Sequence, residues 1–296
     1  MGGWGYHPPL VKIPIRGPFD APWLGAFLGA RAIPGLESFT AGEYRRALRG
    51  RDATIGIRFA RRSLEVRVAG ALGPAEVPAL TGRLFDLDAP LAGLHALAAA
   101  DPILAPLVAA RPGMRLPVYD DPFEALIRAI LGQQVSVAAA RTIGGRMVGR
   151  FGRPAPVLSV GDEPLRFFPA PETLAAAGET ALRELGLTGA KARSILGCAG
   201  IVASGAIDLQ ALRAVPADEA TAALRSLPGV GPWTAAYLRL RGLGDRDAFP
   251  AGDLGVRKAL AAPGEKLASE TAAERRSEAW KPWRGYAVLH LWAGLG

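Results

Sequence analysis

Cysteine is nearly missing: Cys198 is the single thiol among 296 residues. That excludes an internal disulfide framework and any centre held by four thiolates. Its neighbours Ile195, Leu196 and Ile201 predict a packed side chain rather than a reactive one. Lysine is also scarce, five residues against thirty arginines. No long apolar run is present. The most hydrophobic stretch, 91–110, is interrupted by His95, Asp101, Pro102 and Pro106, so it does not read as a membrane span. Residues 1–17 carry Pro8, Pro9 and Pro14 without an apolar segment, so no secretory signal is visible. Tyr6 stands where a myristoylation motif needs Ser or Thr. A soluble, cytoplasmic protein with no membrane partner is expected.

What is abundant points further. Half of the residues are hydrophobic and 21% are charged, enough to bury a core in two or three domains. A formal charge of +8 predicts a polyanionic partner, nucleic acid first and an anionic membrane second. Enrichment in Arg, Ala and Gly also follows from a GC-rich genome, so charge alone does not decide.

Both structural periods occur early in the chain. Residues 20–32 read as a helix with Trp23, Leu24, Phe27 and Leu28 on one face. Ile55, Ile57 and Phe59 alternate with Gly56 and Arg58, as Leu64, Val66 and Val68 do with Glu65 and Arg67. Joined by residues 60–63, these predict an antiparallel hairpin with one wet face. A helix over 74–85 completes an α+β unit. From residue 89 onward no strand pattern recurs. A helical stripe runs through 122–148, with further helices at 171–177, 179–185, 190–204, 209–214 and 218–227. Another starts at Pro232, and two more cover 270–280 and 285–292.

The most specific motif is Leu227-Pro228-Gly229-Val230-Gly231-Pro232-Trp233-Thr234-Ala235. One helix runs into it, and Pro232 opens the next at a position where a missing N–H costs nothing. Gly229 and Gly231 allow a tight turn with outward amides, and Val230 can plug between the helices. Exposed amides there suit a phosphate. An ordinary corner between helices has the same punctuation. Trp233 and Tyr237, four apart, share a face. Such pairs are usually core, but these stand beside the proposed phosphate loop. Asp253 precedes a short helical run, so it reads as an N-cap. An N-cap carboxylate lies at the positive end of its helix, so capping and chemistry do not exclude one another.

At this point the residues resemble the helix-hairpin-helix DNA glycosylases, and within them the AlkA-type 3-methyladenine-DNA glycosylase II. The resemblance is carried by WLGAFLGARA at 23–32, RLFDL at 83–87, RAILGQQVSV at 128–137, the hairpin LPGVGPWTAAY, and WKPWR at 280–284 followed by Tyr286 and His290-Leu291-Trp292. The twenty positions from Trp233 to Asp253 also match. It implies an N-terminal antiparallel β domain (1–88), a helical domain carrying the hairpin (118–245), and a second helical domain built from 89–117 and 246–296. The active-site cleft would lie between the helical domains.

By the same resemblance Asp253 is the catalytic carboxylate. Phe27, Trp233, Tyr237, Leu254 and Trp292 line the base pocket, and Gln134, Gly229, Gly231 and Thr234 contact DNA. It further implies no cofactor, no metal held by side chains, and a monovalent cation at the hairpin carbonyls. The implied protein is a monomer acting on damaged double-stranded DNA. Two positions depart from the family: Gln134 stands where a leucine wedge is found, and Leu254 where a tyrosine is. Relatives with lyase activity carry a lysine at the position of Trp233, so release of the base without strand cleavage is implied. Two alternatives remain, a glycosylase for oxidised or mismatched bases and a non-catalytic helix-hairpin-helix DNA-binding module.

Overall fold

The computed structural model describes residues 10–60, 62–262 and 264–295. Most of the proline-rich start discussed above lies outside them. Strands β1 (Leu10–Pro14), β2 (Glu37–Thr40), β3 (Glu43–Leu48), β4 (Ala53–Phe59) and β5 (Ser63–Gly70) form one antiparallel sheet in the order β1-β5-β4-β3-β2. The predicted hairpin is β4–β5, with Ile57 opposite Val66 and Phe59 opposite Leu64. Three strands have no legible alternation. In β3, charged residues occupy both faces because each finds a partner. Arg46 is buried against Glu37 and Glu124, and Glu43 accepts three hydrogen bonds from Arg67.

Helix α1 (Ala21–Arg31) is capped by Asp20, whose carboxylate accepts from the Trp23 amide at 3.0 Å. Gly25 lets it lie on the sheet, since a Cβ there would stand 2.5 Å from the Phe39 ring. Helices α2 (Val77–Leu84), α3 (Leu91–Ala99) and α4 (Leu104–Ala110) follow. The stripe over 122–148 forms two helices, α5 (Pro122–Gly132) and α6 (Val137–Phe151), because Ser136 caps the second and stops the first from continuing. Next come α7 (Pro171–Ala175), α8 (Glu179–Arg183), α9 (Gly189–Ala203), α10 (Ala217–Arg225) and α11 (Pro232–Leu238), which runs on into a π-helical turn at Arg239–Leu243. The helix expected over 209–214 is one 3-10 turn, Ala211–Arg213. Asp208 caps it through two amides, and Pro216 prevents extension. Helices α12 (Leu254–Ala259), α13 (Glu270–Ser277) and α14 (Arg284–Ala293) end the chain. No described helix is long and apolar enough to cross a membrane.

Buried side chains gather in two clusters. The first joins the inner face of the sheet and α1–α4 to α12–α14, with Trp280 and Tyr286 fully enclosed. The second is built by α5–α11 with Ile33, Leu36 and Ala47 from the sheet side. Between them lies a buried ionic network: Arg46 with Glu124, and Arg128 with Glu37 at 2.5 Å and Glu124 at 3.1 Å. Burial alone would raise the Glu37 carboxyl, but Arg128 and Arg46 hold it down at about 2. Removing one member of such a set strands a buried charge, at a cost of about 3–5 kcal/mol. The network therefore fixes how the sheet meets α5.

Candidate active site and hairpin

The hairpin is forced at one glycine and not at the other. Gly229 has φ +76°, and a Cβ there would lie 2.3 Å from Ser194 Oγ on α9. Gly231 has φ −85° and open space where a Cβ would go. The expectation that both glycines make the turn is thus corrected: only Gly229 is required by the chain itself. Val230 is buried between the helices as expected. The amides of Gly229, Gly231, Trp233 and Thr234 find no acceptor among the described residues, so the turn presents a row of free donors.

One turn into α11, Trp233 stacks on Tyr237 with centroids 5.4 Å apart and planes 25° apart. Tyr237 in turn meets Trp292 of α14 at 6.4 Å. Tyr237 packs against the second buried cluster and Trp292 against the first, and the two indoles converge on Asp253. Trp292 Nε1 donates to Asp253 Oδ1 at 2.8 Å, and Trp233 Nε1 donates to Oδ2 at 3.0 Å. The Val256 amide also donates to Oδ1 at 3.0 Å, so Asp253 is the N-cap of α12 as well. Three donors and two oxygens leave a lone pair on Oδ2 for anything entering the cleft.

Other residues named from sequence fall elsewhere. Phe27 is buried outside this trio, its ring facing the guanidinium groups of Arg31 at 3.8 Å and Arg241 at 4.8 Å. Arg31 also borders a cavity of about 120 Å³ with Tyr119, Leu131, Val137 and Tyr237. Desolvation lowers the Arg31 pKa, with Arg241 adding to the effect. Leu254 is 66% exposed in the first turn of α12. Thr234 is only 2% exposed, and its hydroxyl accepts from Gln133 Nε2 at 3.0 Å. Its side chain is therefore a brace, and only its backbone amide is free for DNA. Gln134 is exposed in the α5–α6 connection with φ +56°, a conformation costly to a residue with a Cβ. Sequence reasoning missed Gln133, Lys191 and Arg31; the neighbouring pair Gln133-Gln134 at a helix break was the only visible signal for the first.

Comparison with known families settles the membership. Residues 10–121 match the AlkA N-terminal domain, and residues 127–285 match the HhH-GPD superfamily base excision DNA repair protein model. The chain belongs to the HhH-GPD superfamily. It is 36% identical over 285 residues to DNA-3-methyladenine glycosylase 2 of Escherichia coli K12, covering 93% of this chain and 94% of that one. It is 37% identical over 292 residues to a probable bifunctional transcriptional activator/DNA repair enzyme AlkA of Mycobacterium tuberculosis. That match covers 96% of this chain and spans 57% of the longer relative. The fold superposes on 3-methyladenine DNA-glycosylase from Archaeoglobus fulgidus with a TM-score of 0.82 at 27% identity, covering 95% of this chain and 97% of that one.

The superfamily resemblance also implies a cation on the hairpin carbonyls. Leu227 O accepts from Val230 N, Pro228 O from Cys198 Sγ, Gly229 O from Gln133 and Gly231 O from Ala235 N. Only the Val230 carbonyl lacks a partner among the described residues. The remaining second lone pairs fit a weakly held ion. Cys198 is buried, and burial pushes its thiol up to about 12, in keeping with a packing role.

Proposed function

We propose that this chain excises alkylated bases of the 3-methyladenine and 7-methylguanine type from double-stranded DNA by hydrolysing the N-glycosidic bond. The observation that carries the proposal is the Asp253 carboxylate held by the indole N–H groups of two aromatic walls. A base within a duplex is out of reach, and flipping it costs a few kcal/mol, least for a damaged base that pairs poorly. The free amides beside Gly229 grip the backbone, and Gln134 enters the gap that the base leaves. Alkylation at a purine ring nitrogen makes the base cationic and a good leaving group. The faces of Trp233, Tyr237 and Trp292 then favour that cation, by about 0.5–2 kcal/mol per well-placed ring.

As the glycosidic bond stretches, positive charge grows on the sugar. Asp253 supplies the fixed anion, and its unshared Oδ2 lone pair is the point at which sugar or water meets it. Because Trp233 stands where a lyase would need an amine, no Schiff base forms and the reaction ends at an abasic site. The test is release of free bases from dimethyl sulfate-methylated DNA by the native chain and by Asp253→Asn. Release is expected from the first, and at least about a hundredfold less from the second with DNA binding retained. Equal release by both would remove Asp253 from the chemistry.

A further inference from the structure

The α5–α6 connection carries Gln134 at its tip, flanked by Val135 and Val137, which are 41% and 49% exposed. Such a tip is strained, through the positive φ of Gln134, and would be expected to move. Instead it is tied from two sides. The Gln133 side-chain amide donates to Gly229 O at 3.0 Å and to Thr234 Oγ1 at 3.0 Å, on either side of the hairpin turn. From beneath, Lys191 of α9 donates to Leu131 O at 2.9 Å and to Gln133 O at 2.7 Å. The same α9 carries Ser194, the residue against which Gly229 is packed.

We propose that Gln133 is a positioning residue that fixes the wedge at Gln134 in register with the phosphate-binding hairpin, with Lys191 supporting it. This rests on the glycosylase reading above. The logic is mechanical. Holding a phosphate at the hairpin sets the position of one nucleotide, and extrusion works only if the wedge meets the stack at a constant distance from that phosphate. A side chain hydrogen-bonded to the hairpin carbonyl and to the first turn of α11 supplies that fixed distance. The same bonds keep the strained backbone of Gln134 in place before DNA arrives, so no ordering step is added at extrusion. The Gln133 side chain bonds Gly229 and Thr234 and not Asp253, so it acts through the neighbouring Gln134.

Native DNA methylated with dimethyl sulfate and DNA denatured before it is methylated separate this role from a general one, because only the duplex needs a wedge. With Gln133→Ala, base release from native DNA should fall about tenfold, while release from denatured DNA stays within about twofold. Affinity for undamaged duplex should be unchanged, since the hairpin amides remain. Lys191→Met, which leaves the hairpin bonds intact but frees the loop from beneath, should shift the native-to-denatured ratio in the same direction. It serves as the second test if Gln133→Ala does not fold. Equal losses on both DNA forms, or no loss on the duplex, overturn the positioning role. An unaltered chain that releases nothing from either form overturns the glycosylase reading itself, and the role of Gln133 with it.

Discussion

Trp292 Nε1 donates to Asp253 Oδ1 at 2.8 Å, and through this bond the last helix of the chain aims the carboxylate that caps α12. The indole is therefore both a wall of the cleft and part of the frame that orients Asp253. Trp292→Phe keeps the ring and removes the N–H. Hydrogen bonds to a charged group are worth about 1.5–3 kcal/mol, so base release should fall about tenfold to a hundredfold. Loss of orientation affects cationic and neutral lesions such as hypoxanthine alike. Single-turnover rates on both classes check this; a loss confined to cationic lesions would assign the whole effect to the ring face.

The two hairpin glycines should respond differently. Gly229→Ala forces a Cβ onto Ser194 Oγ at a positive φ, and should destabilise the fold by about 1–3 kcal/mol while weakening duplex binding. Gly231→Ala meets open space at an ordinary φ, so its fold stability should be native. Denaturant melts and titrations of undamaged duplex report both. Any loss of binding in Gly231→Ala would then come from a DNA phosphate pressing against the new methyl group.

Much of this was legible beforehand, for reasons that can be named. The β4–β5 hairpin alternates cleanly because one face is core and the other is wet. Asp253 announced itself as a cap, and it is one, with the chemistry added by partners 20 and 39 residues away in sequence. What was not legible depends on distant pairing. Strand β3 hides its alternation because Arg46 and Glu43 are neutralised by Glu37, Glu124 and Arg67. Thr234 reads as a surface hydroxyl until Gln133, 101 residues earlier, is seen donating to it. The strain at Gln134 leaves no mark on composition, since nothing about glutamine predicts a left-handed backbone.

Binding to undamaged duplex should weaken steeply with salt, because phosphate contacts at the hairpin and at exposed arginines release counterions. Affinities measured across a range of ionic strengths give the slope. A flat response would mean that the net charge of +8 has no part in DNA binding.

His290, on the same helix as Trp292, is 1% exposed, and burial lowers its pKa to about 4. The unfolded chain, with an ordinary histidine, takes up its proton near pH 6.5, so acid favours unfolding. The sign follows: this contribution is fully present above about pH 6.5 and is lost as pH falls toward about 4, amounting to about 3 kcal/mol. Denaturant midpoints between those pH values should drop with acid in the native chain and flatten in His290→Leu. An identical slope in the two would place the acid sensitivity elsewhere.

The two buried clusters interleave along the chain: residues from 13–118 and 240–291 build one, and residues 119–238, joined by Ile33, Leu36 and Ala47, build the other. During synthesis the middle unit is finished while the first is still waiting for Trp280, Tyr286 and Leu291 to leave the ribosome. Asp253 is not fully held until Trp292 docks. A chain interrupted before Trp292 therefore keeps its hairpin but lacks one of the three donors that hold the Asp253 carboxylate in place.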